Sequence, residues 1–159
     1  VIMSVEQNHP VLTSRDAREL LKLVEVAAER SFDQDPRFAF RLLADVGLRA
    51  LSPAVNDPAT AVQSLDAIEA LLRVLASREL DVSEIRDEAG RVRVVLPVIG
   101  WGVFVADAVD EIAACVGTFD SVRGRIVLLV RETLAAAPEW RHGPLFQRLA
   151  DLTPGDARM

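Results

Sequence analysis

The sequence predicts a mainly α, compact helical domain built from helix-turn-helix hairpins with one short β-hairpin. Three observations carry that prediction. Apolar residues recur at three- and four-residue spacing along most of the chain. Two Asp-Pro pairs, Asp35-Pro36 and Asp57-Pro58, stand where helices would open. The period shifts towards alternation once, between Asp81 and Leu96.

Residues 1–12 read as an extended lead-in. From the cap signal Thr13-Ser14, Leu20, Leu21, Val24, Ala27 and Ala28 mark an amphipathic helix ending near Ser31. In both Asp-Pro pairs the aspartate caps the helix and the proline takes its first position, where a missing N–H costs nothing. The helix from Pro36 is expected to turn Phe38, Leu42, Leu43, Val46, Ala50 and Leu51 inward. Arg41, Asp45 and Arg49 would form a self-pairing stripe outside. Ser52 should end it, because the residue before Pro53 is pushed out of the helical region. The helix from Pro58 places Val62, Leu65, Ile68, Leu72 and Leu75 on one face.

Residues Val82 to Arg86, the turn Asp87-Glu88-Ala89-Gly90 and Val92 to Leu96 read as a hairpin. Since an isolated hairpin is marginal in water, it is expected to pack on the helices. Past Pro97 a helix carries Trp101, Phe104, Val105, Ala108, Val109, Ile112 and Val116 until Gly117. Another runs from Ser121 to Pro138 with Ile126, Leu129, Val130 and Leu134 inside. A last one from Pro144 buries Leu145, Phe146, Leu149 and Leu152, and the tail from Thr153 frays.

A chain of 159 residues, half of them apolar, is the size of a single domain with a proper core. Its net charge of −6 opposes the basic footprint that nucleic acid requires, so no nucleic-acid partner is expected. The same sign weakens docking on anionic lipid. The longest uncharged run, Val94 to Ala106, falls short of the roughly 17–25 residues of a spanning helix. Trp101 and Phe104 within it are expected inside the domain.

Nothing in the sequence marks a catalytic site, a metal site or a cofactor motif. Cys115 shares an apolar face with Ala108, Ile112 and Val116 and is expected to be a small buried residue. His9 and His142 sit in loop-like sequence, and Lys22, the sole lysine, lies on an ordinary amphipathic helix. Ser52 has no flanking glycines. The acidic patch Glu29, Asp33 and Asp35 lacks the glycine and distal glutamate of a calcium loop.

The most distinctive stretch is Arg49 to Ala61. Pro53 stops one helix, Asn56 suits a left-handed turn, Asp57 caps the next helix and Pro58 opens it. That account is complete without a ligand. A functional reading of the same residues makes Arg49, Asn56 and Asp57 a polar notch for a small ligand or a partner's loop.

The strings Asp35-Pro36, Ala50-Leu51-Ser52-Pro53 and Asn56-Asp57-Pro58-Ala59-Thr60-Ala61 make the stretch from Arg30 to Leu80 resemble a bacterial family. It comprises predicted membrane proteins grouped as domain of unknown function 2254. The likeness continues more weakly through Trp101 to the end. It implies a membrane-spanning N-terminal region followed by a soluble C-terminal part, which this chain looks like, with the cytoplasmic side as its expected location. The start at Val1, ahead of Met3, is read in the same way, as a piece of something longer. The resemblance brings no activity with it.

The expectation is therefore a non-enzymatic extramembrane module for packing, oligomerisation or docking, with its own membrane-spanning region and a second copy as partners. Val46, Leu48 and Leu51 on one helix and Val127, Leu128 and Val130 on another exceed what one core face requires. The alternative is a sensor binding a small polar ligand near Arg49 and Asn56. An enzyme of unfamiliar kind ranks third.

Overall fold

The computed structural model describes residues 35–80, 83–95 and 98–153, with 14, 15, 18 and 32. Its elements in chain order are α1 (Arg37–Leu51), α2 (Pro58–Ala76), β1 (Glu84–Arg86), β2 (Val92–Val95), α3 (Trp101–Cys115), α4 (Asp120–Ala136), a 3₁₀ turn (Glu139–Arg141) and α5 (His142–Leu152). The expected mainly α architecture with one antiparallel hairpin is what the chain forms. The lead-in, His9, Lys22, Glu29, Asp33 and the tail beyond Thr153 lie outside the described residues. So does the helix expected from Thr13 to Ser31, apart from Ser14, Arg15 and Arg18, which are helical.

Helix α2 is central, packed against α1 on one flank and α4 on the other, while α3 lies across α1 and meets α5. Its Ala61, Leu65, Ile68 and Leu72 are wholly buried, at the spacing that keeps one face turned inward. Trp101, Phe104, Val105, Ala108, Val109 and Ile112 supply the α3 stripe, with Trp101 and Phe104 inside as expected. Val122, Ile126, Leu129 and Val130 of α4 and Leu145 of α5 close the core. Each large aliphatic side chain removed from water there contributes about 1.5–3 kcal/mol.

Helix α1 departs from expectation by a rotation. Its buried positions are Phe40, Ala44, Gly47, Ala50 and Leu51, while Leu42 and Val46, expected inside, are exposed. Phe38 and Leu43 are half-buried. The cause is close packing of small residues. A Cβ on Gly47 would sit 3.2 Å from Ile112 Cδ1 and 3.4 Å from Ser64 Oγ, so α1 approaches both α2 and α3 where it has least side chain. Ser64 Oγ also donates a short hydrogen bond to the Leu43 carbonyl. Ala50 and Leu51 are inside as expected, so the rotation tells mainly at Leu42 and Val46, whose places in the core Ala44 and Gly47 take.

The charged stripe on α1 does not pair with itself. Arg37 donates from Nε and Nη2 to Asp107 on α3 at 2.5 and 2.9 Å, and Arg41 lies 3.7 Å from the same carboxylate. Asp35 holds the helix start, its Oδ1 accepting from the Arg37 N–H at 3.0 Å, with Pro36 at the cap position, one residue later than expected.

Four further expectations shift. Helix α4 opens at Asp120, one residue before Ser121. Helix α5 opens at His142, two residues before Pro144, so His142 is helical, and Phe146 is exposed with its ring edge-on to that imidazole. Cys115 is exposed. It is the last residue of α3, on the edge that also exposes Glu111 one turn earlier, whereas Ile112 and Val116 face the core.

Among the described residues the hairpin touches the helices only slightly, and β1 is exposed throughout. Its turn supplies what packing was expected to. Asp87 Oδ1 accepts from the Ala89 and Arg91 N–H groups at 3.0 Å, and its Oδ2 from Arg91 Nε and Arg93 Nε. Gly90, at φ +76°, closes the turn. The bond from the Arg91 N–H, with those of both guanidinium groups, draws the Asp87 carboxyl down to about 2.

Candidate functional site

The corner between α1 and α2 is built almost wholly from its own residues. Ser52 ends α1, its N–H and Oγ both bonding the Arg49 carbonyl, at 3.2 and 2.7 Å. The chain reverses through Asn56 at φ +52°, a conformation asparagine tolerates better than most residues. Asp57 then caps α2, Oδ1 accepting from the Ala59 and Thr60 N–H groups at 3.1 Å and Oδ2 from Thr60 Oγ1 at 2.6 Å. Those bonds, the Thr60 hydroxyl first, hold the Asp57 carboxyl below its ordinary value.

Arg49, Asn56 and Asp57 thus lie around one corner of the chain, apart from the two clefts described below. The Asp57 carboxylate is engaged by its own helix, and Arg49 and Asn56 are exposed. Arg49 is three residues past Val46 and seven past Leu42, which sets it on the outward side of α1.

The opposite end of α2 carries a constellation that sequence reasoning missed. Arg141 is 2% exposed, yet no carboxylate pairs with it among the described residues. Its Nη1 donates to the Leu75 and Ala76 carbonyls at 2.8 and 2.9 Å, and its Nη2 to the Arg78 carbonyl at 2.5 Å. These are carbonyls at the end of α2 and just past it, where a cation meets the negative end of the helix dipole. The guanidinium carbon lies 4.4 Å from the Trp140 ring and 5.3 Å from that of Trp101. Trp101 Nε1 in turn donates to the Arg141 carbonyl at 2.9 Å. Arg141 Nε is buried without a partner. Beside the guanidinium opens a groove of about 460 Å³, lined by Ala76 to Leu80, Pro138, Trp140 and Arg141. The one trace of this in the sequence is an arginine next to a tryptophan, a pair common on ordinary surfaces.

A second cleft, about 290 Å³, lies between α1 and α3, where Arg41, Asp45, Asp107 and Glu111 face one another. The hydrogen bond to Asp107 raises the Arg37 pKa, so this is an ion-pair seam between helices. Arg125 makes a similar tie from α4 to Asp66 and Glu69 on α2, at 2.5 and 2.7 Å. Among the described residues no group of three or more His, Cys, Asp or Glu could hold a metal ion. No helix among them is long and apolar enough to cross a membrane.

The family model described as predicted membrane protein (DUF2254) matches residues 1–132. Uncharacterized proteins of Mycobacterium tuberculosis (strain H37Rv) and Mycobacterium bovis are each 42% identical over 85 residues. The aligned stretch is 54% of this chain and 16% of theirs, so the chain spans a small part of the relatives it matches. No solved structure matches it.

Proposed function

From the premise that this chain belongs to the DUF2254 family of predicted membrane proteins, we propose that it is an extramembrane interaction module that pairs with a second copy of itself. The observation that carries this reading is the outward side of the α1–α2 pair. Leu42 is 45% exposed and Val46 44% on α1, with Leu71 at 36% and Val74 at 58% on α2. The inner faces of both helices are already filled, so these residues are surplus to the core of one copy. Of the residues expected to be in surplus, Val46 and Leu128 remain exposed, whereas Leu51 and Val130 are buried.

A two-fold pairing needs one self-complementary patch. Two helices side by side with apolar outward residues offer a patch of that kind, and Arg49 with the turn at Asn56 supplies a polar rim. Copies tethered to a membrane meet at high effective concentration, so a contact weak in solution becomes effective there. Sedimentation equilibrium tests the reading. Wild-type chain should dimerise at high protein concentration, and Val74→Glu with Leu42→Glu should remain monomeric with helicity unchanged. A monomeric wild type up to about 1 mM, weaker than any pairing of roughly −4 kcal/mol, would sink it.

The alternative of a small-ligand sensor at Arg49, Asn56 and Asp57 has less support. Asp57 is occupied by its own helix, and Arg49 and Asn56 are exposed.

A further inference from the structure

We propose that the groove at the C-terminal end of α2 binds an amphiphilic carboxylate, its head on the unused edge of Arg141 and its apolar chain along Trp140, Pro138 and Leu80. A guanidinium has five N–H donors in one plane. Three bonds to carbonyls take both donors of Arg141 Nη1 and one of Nη2, and the Trp140 and Trp101 rings lie 4.4 and 5.3 Å from the guanidinium carbon. Nε remains unpartnered, in a side chain more than nine-tenths buried that lines the groove.

The charge balance points the same way. A buried cation is ordinarily paired with an anion. The end of α2 supplies about half a negative charge, which leaves much of the guanidinium charge without a counterpart. Glu79 lines the groove, but so does Arg78, and the local sum stays positive. One free arginine edge matches the two oxygens of a single carboxylate, whereas a doubly charged phosphate calls for more donors.

The walls select the rest of the ligand. Trp140 is 70% exposed and Pro138 is exposed beside it. A groove of about 460 Å³ is in the ordinary size range for small-molecule sites. Trp140 lies over the guanidinium and is itself in solvent, so its ring joins the cation to the open part of the groove. This site is independent of the pairing face on α1 and α2.

Calorimetric titration of the chain with decanoate, below its micelle concentration, tests the assignment. Saturable one-site binding is expected, with acetate and decanol each weaker by about tenfold or more, since each lacks half of what the groove recognises. Trp140→Ala, a change at an exposed side chain, should weaken decanoate by a similar factor while lowering Tm by no more than about 4 °C. Arg141→Lys keeps a cation but loses the planar edge, and should weaken decanoate relative to decanol. Equal binding of decanol and decanoate would reduce the site to an apolar patch. Undiminished binding by the Trp140 variant, or no saturable binding to wild type, would overturn the proposal outright.

Discussion

The two ends of α2 solve the same physical problem by opposite means. A helix leaves four N–H groups unsatisfied at its start and four carbonyls at its finish. At the start, Asp57 answers from the adjacent residue, bonding Ala59 and Thr60. At the finish, Arg141 answers from 65 and 66 residues along the chain, and is itself buried, with two tryptophan rings beside its guanidinium. The first device is local, exposed and readable. The second is assembled by the tertiary fold and joins α2 to the turn before α5.

If that contrast is right, the two ends should differ sharply when broken. Arg141→Met removes the donors from three carbonyls and the cation from beside two tryptophan rings at once, and should cost about 3–5 kcal/mol. Urea denaturation measures it, and a loss below about 1 kcal/mol would mean that solvent takes over the carbonyls freely. Asp57→Ala breaks the local end alone. It should lower Tm by about 2–5 °C, because water reaches the freed N–H groups at the exposed start of α2.

Trp140→Ala sharpens the comparison from the other side. Its ring covers the cation but is mostly in solvent, so about 0.5–1 kcal/mol is expected, well under the Arg141 effect. A cost as large as that of Arg141→Met would place the stabilisation in the stack and not in the carbonyl bonds.

The smallest effect is in pH. The Asp57 carboxyl is held below its ordinary value, so its contribution is complete above the ordinary carboxylate range and fades as pH falls through the lowered value. Amide resonances of Ala59 and Thr60 should titrate below that of an ordinary aspartate. The reverse order of titration would contradict the cap.

The same division sets what could be read from the chain. Asp57-Pro58, Ser52-Pro53 and Asn56 act over one to four residues, so their roles at the corner were legible. The apolar stripes of α2 and α3 were legible because large residues face the core there. Helix α1 was not, since its inner face depends on Ala44 and Gly47, which count for little in a hydrophobic pattern but allow close approach to Ile112 and Ser64. The salt bridge from Arg37 to Asp107 spans 70 residues and Arg141 reaches the end of α2 over a similar distance, and no local period encodes either. Of the proposed notch, both the backbone path and the capping of α2 by Asp57 could be foreseen, because each acts within a few residues. The groove beside Arg141 gave no sequence signal beyond Trp140 itself.

The hairpin offers a practical handle on the longer proteins to which this chain is related. Its tip, Glu88 to Gly90, is exposed and projects from a turn whose geometry is fixed beneath it by Asp87. A short epitope or a fluorescent label inserted there would ride on strands that touch the helices only slightly, leaving α1 to α5 undisturbed. Placed in a full-length relative, such an insertion becomes a reporter of sidedness: its accessibility from either face of an intact cell states directly where this part of the protein resides.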